Sequence, residues 1–256
     1  MPFFKRILKY DQKTVVQQEK RYASRFNVSP KSPLKVSLAF DYLKLEGTVV
    51  NLSTLGAAVI LHKEFACPRN TPCKITFILD NYKLQLNATI SHHRLTPEGK
   101  RFGLKLELED FEARLSFLQL IAPLHIGASL IPSKRQTTAS SEPGVITKKY
   151  HATNDTVLTV WRNYIGHAIT GFEFRIADYF VRNGKNPPEL ILYTQEEKDQ
   201  SDNLGYQAPV LKRAKKEHGE IQQLFNWIVP HLNDNVPDDV CSYLKLYCTR
   251  AKRCSS

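Results

Sequence analysis

The chain is 256 residues long, 42% hydrophobic, and carries 36 Lys/Arg against 25 Asp/Glu for a net charge of +11. That is enough chain for two domains, each with a real core. No apolar run approaches the roughly 20 residues that cross a bilayer, and the opening Met1-Pro2-Phe3-Phe4-Lys5-Arg6-Ile7-Leu8-Lys9 is too short and too charged for a secretory h-region. A cytoplasmic protein without a membrane span is therefore expected.

The basic character gathers at the start. Residues 1–122 hold 19 Lys/Arg against 11 Asp/Glu, and residues 1–35 alone hold nine against two, so an anionic partner is expected near that segment. Residues 1–17 read as an N-terminal arm or a short amphipathic helix with Phe4, Ile7 and Leu8 on one side. Val15-Val16 and the polar run after them weaken the helix, which favours a mobile or ligand-ordered arm.

From Leu34 onward the period changes to two: Val36, Leu38 and Phe40 alternate with Ser37, Ala39 and Asp41, the pattern of a half-buried strand. Further strands are predicted near 46–52, 57–62, 74–80, 82–92 and 101–108, with Asp80-Asn81 as a tight hairpin turn. Asp110 then caps a helix in which Phe111, Leu115, Leu118 and Ile121 recur at helical spacing and Pro123 makes the stop. Six short antiparallel strands and a terminal helix predict a small β-barrel over residues 18–122.

Residues 123–148 read as a linker, because 132–148 are rich in Ser, Thr, Pro and Lys and lack apolar periodicity. Residues 149–256 read as a smaller α+β domain. Val157–Trp161, Phe172–Ile176 and Leu190–Tyr193 are strand-like, Val210 through Ile228 lines one helix face, and Val240, Leu244 and Tyr247 suggest a second helix after Pro237. Trp161, Phe172, Phe174, Tyr179 and Phe180 could stack on a ligand, but aromatics at strand spacing are first of all core. Lys212-Arg213 and Lys215-Lys216 fit the solvated side of the helix.

The remaining chemistry-bearing residues are sparse. His92-His93 are adjacent on a strand, so they face opposite sides and cannot jointly chelate a metal. Five cysteines are too few and odd in number for a disulfide framework, and Cys241, Cys248 and Cys254 lack the CxxC knuckle of a zinc site. No GxSxG elbow, P-loop, HExxH or dinucleotide fingerprint occurs, so neither an enzyme nor a metal or other cofactor is expected.

Two short patterns remain. Arg21-Tyr22-Ala23-Ser24-Arg25 spaces two arginines four apart, and Asn51-Leu52-Ser53-Thr54-Leu55-Gly56 begins 26 residues after Arg25. Each alone is weak. Side chains at i and i+4 of an extended segment point the same way about 13 Å apart, and a guanidinium can fork onto phosphate oxygens or a guanine O6/N7 edge. Asn51 and Ser53, two apart, share a face that is outward if Leu52 points to the core. Gly56 would permit positive φ or close ligand approach at the turn.

Together, in this order and ahead of barrel-like strands, they resemble the two-part signature of the PilZ family, RxxxR followed by [D/N]xSxxG, and Gly103-Leu104-Lys105-Leu106 resembles its closing strand with Leu106 where Phe is usual. The resemblance covers about residues 18–122. It implies a PilZ-like barrel that binds the bacterial second messenger cyclic di-GMP without turning it over, with Arg21, Arg25, Asn51, Ser53 and Gly56 as the ligand-binding residues. Residues 149–256 carry no family signature and would relay the signal to a protein partner. The competing readings are a basic barrel that binds single-stranded nucleic acid, which would also explain the charge, and a PilZ-fold interaction module that has lost its ligand; the complete signature argues against the second.

Overall fold

A computed structural model describes residues 4, 7–8, 10, 15–18, 22–30, 32–41, 43–61, 65–80, 82–133, 144–152, 156–183, 190–195, 211–213 and 218–248. The chain forms two compact units, Met1–Ala128 and Ser129–Ser256.

The first unit is built on seven antiparallel strands: β1 (Phe26–Asn27), β2 (Lys35–Phe40), β3 (Leu43–Ser53), β4 (Gly56–Leu61), β5 (Pro72–Leu79), β6 (Tyr82–Thr96) and β7 (Gly99–Glu107). Six of them close a barrel in the order β3-β2-β5-β6-β7-β4 and back to β3, while β1 adds to β3. Alternation drives the closure: Leu38, Leu52, Val59, Ile75, Phe77, Ile90 and Phe102 point inward and are fully buried. Each such side chain contributes about 1.5–3 kcal/mol of hydrophobic stabilisation. The register shifts at two bulges, one between Val49 and Asn51 and one between Ile90 and His92. A bulge re-aims the residues beyond it, and both lie beside the region described below.

Helix α1 (Phe111–Ser129) follows, with the Asp110 carboxylate accepting from the Ala113 amide at 2.9 Å as the expected cap. It does not stop at Pro123. The ring removes the amide that would bond to the Gln119 carbonyl, at a cost of about 3 kcal/mol. Leu115 through Leu124 are nevertheless all buried, with Ile126 beyond them, and that packing carries the helix one and a half turns further. Phe77 meets Phe117 at 5.7 Å on the barrel side. The described part of the N-terminal segment covers another side: Phe4, Ile7, Leu8 and Val15 are buried, and Gln119 Nε2 donates to the Leu8 carbonyl at 2.9 Å. These four residues of the expected loose arm are thus core residues, while Val16 is 52% exposed.

The second unit carries an antiparallel meander in chain order: β8 (Ile131–Pro132), β9 (Val145–His151), β10 (Val157–Asn163), β11 (Ile169–Ile176), β12 (Tyr179–Asn183), β13 (Leu190–Gln195) and β14 (Leu211–Arg213). Leu158, Val160, Phe172, Phe174 and Ile176 form its buried face. Against that face lie α2 (His218–Ile228) and α3 (Asp238–Lys245), joined by a short 3-10 turn at Val229–His231. Phe225 stacks on Phe172 at 5.7 Å and Tyr247 meets the same ring edge-on at 5.3 Å. Phe172, Phe174, Tyr179 and Phe180 are therefore core, and Trp161 is half-buried.

Two expectations are corrected here. The unit boundary lies at residues 128/129, so the linker reading of 123–148 fails at both ends: 123–129 is helix, and 131–132 and 145–148 are paired strand. The middle of that range, 134–143, lies outside the described residues. Lys212 and Arg213 sit on β14 and not on a helix, which begins at His218; Lys215 and Lys216 lie outside the described residues. No helix among the described residues is long and apolar enough to cross a membrane.

Candidate functional site

The end of β3 sets the site. After the bulge, Asn51 pairs with Ala58 and Ser53 with Gly56, while Leu52 turns inward and is buried. Asn51 and Ser53 share the outer face as the period-2 reading requires, yet they are only 7% and 4% exposed. The Ser53 hydroxyl accepts from the Leu55 amide at 3.3 Å and lies 3.5 Å from the Gly56 carbonyl, which fixes the turn into β4. Gly56 does not have positive φ. A Cβ there would stand 2.2 Å from the Leu104 carbonyl oxygen, so the position needs glycine because the β7 backbone crosses against it. That differs from the two reasons the sequence suggested.

The segment that carries Arg25 runs along the free side of β3. Thr54 donates to the Tyr22 carbonyl at 3.0 Å and Val28 to the Val50 carbonyl at 2.9 Å, and Phe26 and Asn27 pair with Leu52 and Asn51. Tyr22, 0% exposed, packs its ring 4.8 Å from His125 of α1, and Phe26 meets the same imidazole at 5.4 Å. Residues 22–28 are consequently held in place by two apolar anchors with Arg25 between them, at variance with a loose arm. Arg21 lies outside the described residues.

Arg25, Asn51, Ser53 and Gly56 line one cleft of about 530 Å³ on the outer face of the barrel. That volume is in the range of small-molecule sites. Small residues stand in the middle of its floor: Ala58 and Gly103 lie between Asn51 and His92 in one cross-strand row, and Gly56 lies between Ser53 and Lys105 in the next. Its opposite wall comes from residues that sequence reasoning did not select: Ser91, His92 and Arg94 on β6, and Arg101 and Lys105 on β7. Strand β6 runs to Thr96, four residues beyond the predicted end, because its pairing with β7 continues after its pairing with β5 ends at Thr89. His92 is thus mid-strand, not at a strand end. The expected divergence of the two histidines holds: His92 faces the cleft and His93 stacks on Phe102 at 5.8 Å.

The electrostatics are one-sided. Arg25, Arg94, Arg101 and Lys105 line the cleft, no carboxylate does, and none of the four makes an ion pair with a described residue. Burial, then the charges of Arg94 and Arg25, hold the Arg101 guanidinium below its ordinary value. Leu55, 71% exposed, stands at the rim. Such a cleft is suited to a compact, multiply charged anion with flat polar groups.

Elsewhere the described residues hold no cluster of three metal-ligating side chains. Cys67, Cys73, Cys241 and Cys248 are free, and burial pushes the Cys73 thiol up to about 11 and that of Cys248 up to about 12, which keeps both protonated. Cys254 lies outside the described residues.

No family model matches the chain, and no curated protein does. Among solved structures, it is similar to the PilZ domain of CeSA from a cellulose-synthesizing bacterium, with 25% identity and a TM-score of 0.32 over 40% of this chain and 97% of that one. It is also similar to the Borreliella burgdorferi PlzA protein in complex with c-di-GMP, with 10% identity and a TM-score of 0.34 over 93% of this chain and 99% of the other.

Proposed function

We propose that the first unit, a PilZ-like barrel, is a receptor for cyclic di-GMP, with Arg21, Arg25, Asn51, Ser53 and Gly56 as its binding residues. The observation that carries this is convergence: Arg25, Asn51, Ser53 and Gly56, separated by 26 residues of sequence, line one cationic cleft with no carboxylate on its wall. Arginine forks match both the phosphates and the Hoogsteen edges of this ligand. The Asn51 amide can donate to and accept from a guanine. Gly56 acts through the backbone, keeping the floor flat.

The ligand is bound and released unchanged, and the second unit relays occupancy to a protein partner in the cytoplasm. Support for a relay comes from Tyr22, which sits between the two signature arginines and rests on His125 of α1, the helix whose end leads by chain into the second unit. Ligand gripped by Arg25 in the cleft also loads this ring contact.

The cationic cleft also keeps the single-stranded nucleic-acid reading in play, and one competition experiment separates the two. Labelled cyclic di-GMP bound to the full chain should be displaced by unlabelled cyclic di-GMP, but not by equal concentrations of GTP, cyclic di-AMP or an oligonucleotide. Displacement by the oligonucleotide, with affinity falling steeply as salt rises, would replace this reading with nucleic-acid binding.

A further inference from the structure

The wall opposite the signature has a construction of its own. Arg94 and Arg101 are direct cross-strand partners on β6 and β7. Like charges directly opposite are destabilising, and neither guanidinium is paired with a described carboxylate that would relieve them. Beside them, the exposed His92 imidazole lies across the backbone of Gly103: a Cβ on Gly103 would stand 2.2 Å from its Cε1 and 2.5 Å from its Nε2. Glycine at 103 therefore lets an aromatic ring lie flat on the cleft floor with its other face open.

The register gives the scale. Asn51, Ala58, Gly103 and His92 occupy four neighbouring strands in one row, so Asn51 and His92 are about 14 Å apart, three strand spacings. One guanine and one phosphate held at Asn51, Ser53 and Arg25 reach only part of this width. A ligand with two bases and two phosphates reaches across it.

Resting on the receptor reading above, we infer that His92, Arg94 and Arg101 are a second half-site of the same cleft, which takes the distal half of the cyclic dinucleotide: the imidazole stacks on one guanine, and the two guanidinium forks grip the phosphate or Hoogsteen edge beyond it. The unrelieved charge of the arginine pair is then a state prepared for an anion. The signature residues alone would hold half a ligand; the two walls together read a two-guanine, two-phosphate ring.

Calorimetric titration of cyclic di-GMP into the full chain tests this with Arg94→Ala, Arg101→Ala, Arg94→Lys, Arg101→Lys and His92→Ala beside wild type and Arg25→Ala. The expected results are losses of about tenfold or more for each arginine variant, Lys included because it keeps the charge and loses the fork, and about tenfold for His92→Ala. Thermal midpoints should be unchanged or raised. Wild-type affinity in Arg94→Ala and Arg101→Ala, with binding lost in Arg25→Ala, overturns the second half-site and leaves the receptor reading intact. Wild-type affinity in both Lys variants overturns the fork in favour of plain charge. No heat from the wild-type chain overturns both readings.

Discussion

Tyr22 decides where Arg25 can be. The residue contributes no charge, yet its carbonyl accepts from Thr54, its ring is buried against His125 and Phe26, and its hydroxyl lies 3.4 Å from that of Tyr10. Truncation removes a whole buried ring. Tyr22→Ala should therefore cost about 3 kcal/mol in urea unfolding of the first unit and weaken cyclic di-GMP binding although no ligand contact is deleted. Tyr22→Phe keeps the packing and should stay within about 1 kcal/mol of wild type. Equal affinity in the Ala variant would show that the segment is positioned by other means. This anchoring was hidden in the sequence because the same residues 1–25 that hold the buried Phe4, Ile7, Leu8, Val15 and Tyr22 also hold seven Lys/Arg against two Asp/Glu, and charge masks a discontinuous apolar face.

At the scale of elements, the seam between β4 and β7 shapes the cleft floor. Gly56 stands against the Leu104 carbonyl and Gly103 against His92, so both glycines answer to what crosses them. Their tolerances differ. Gly56→Ala meets backbone and should destabilise the barrel by about 1–3 kcal/mol, read as a lower melting temperature. Gly103→Ala meets only a movable imidazole and should leave the melting temperature near wild type. Strand alternation made β2, β5 and the barrel core legible in advance, since Val36/Leu38 and Ile75/Phe77/Leu79 admit only one inward face.

Other elements were not legible, for identifiable reasons. Strand β12 follows β11 through Ala177, whose φ of 51° does the work usually signalled by Gly or Asn, so Asp178 alone marks the turn in the sequence. The extension of β6 through Arg94 to Thr96 carries no apolar period, since its one apolar residue, Leu95, is 83% exposed. The opposite wall of the cleft stands on that extension, so it escaped a reading based on motifs. Pro123 misled in the other direction, because tertiary burial of Leu115–Ile126 outweighs a local stop signal.

For the whole molecule, the division into two units can be read out directly, because both tryptophans, Trp161 and Trp227, belong to the second. Tryptophan fluorescence thus follows the second unit alone. His231 lies beside Trp227, bonded through Nδ1 to its carbonyl at 2.7 Å, and burial lowers its pKa from 6.5 to about 4. A folded-state value below the unfolded one means that the unfolded chain takes up the proton first. The stability this group contributes is complete above about pH 6.5 and is lost as pH falls toward 4, by at most about 3 kcal/mol. Fluorescence-monitored urea midpoints should fall through that window in wild type and stay flatter in His231→Gln. A wild-type midpoint constant from pH 7 to 4 would contradict the burial account.

The central claim is that the two halves of one signature bind one ligand on the barrel. Isothermal titration of cyclic di-GMP into the full-length chain, with Arg21→Ala/Arg25→Ala measured alongside at matched folding, tests it most directly. The expected result is a saturable exotherm for wild type and none for the double variant, whose melting temperature is unchanged. Equal heats from the two proteins, or no saturable heat from wild type, would contradict it.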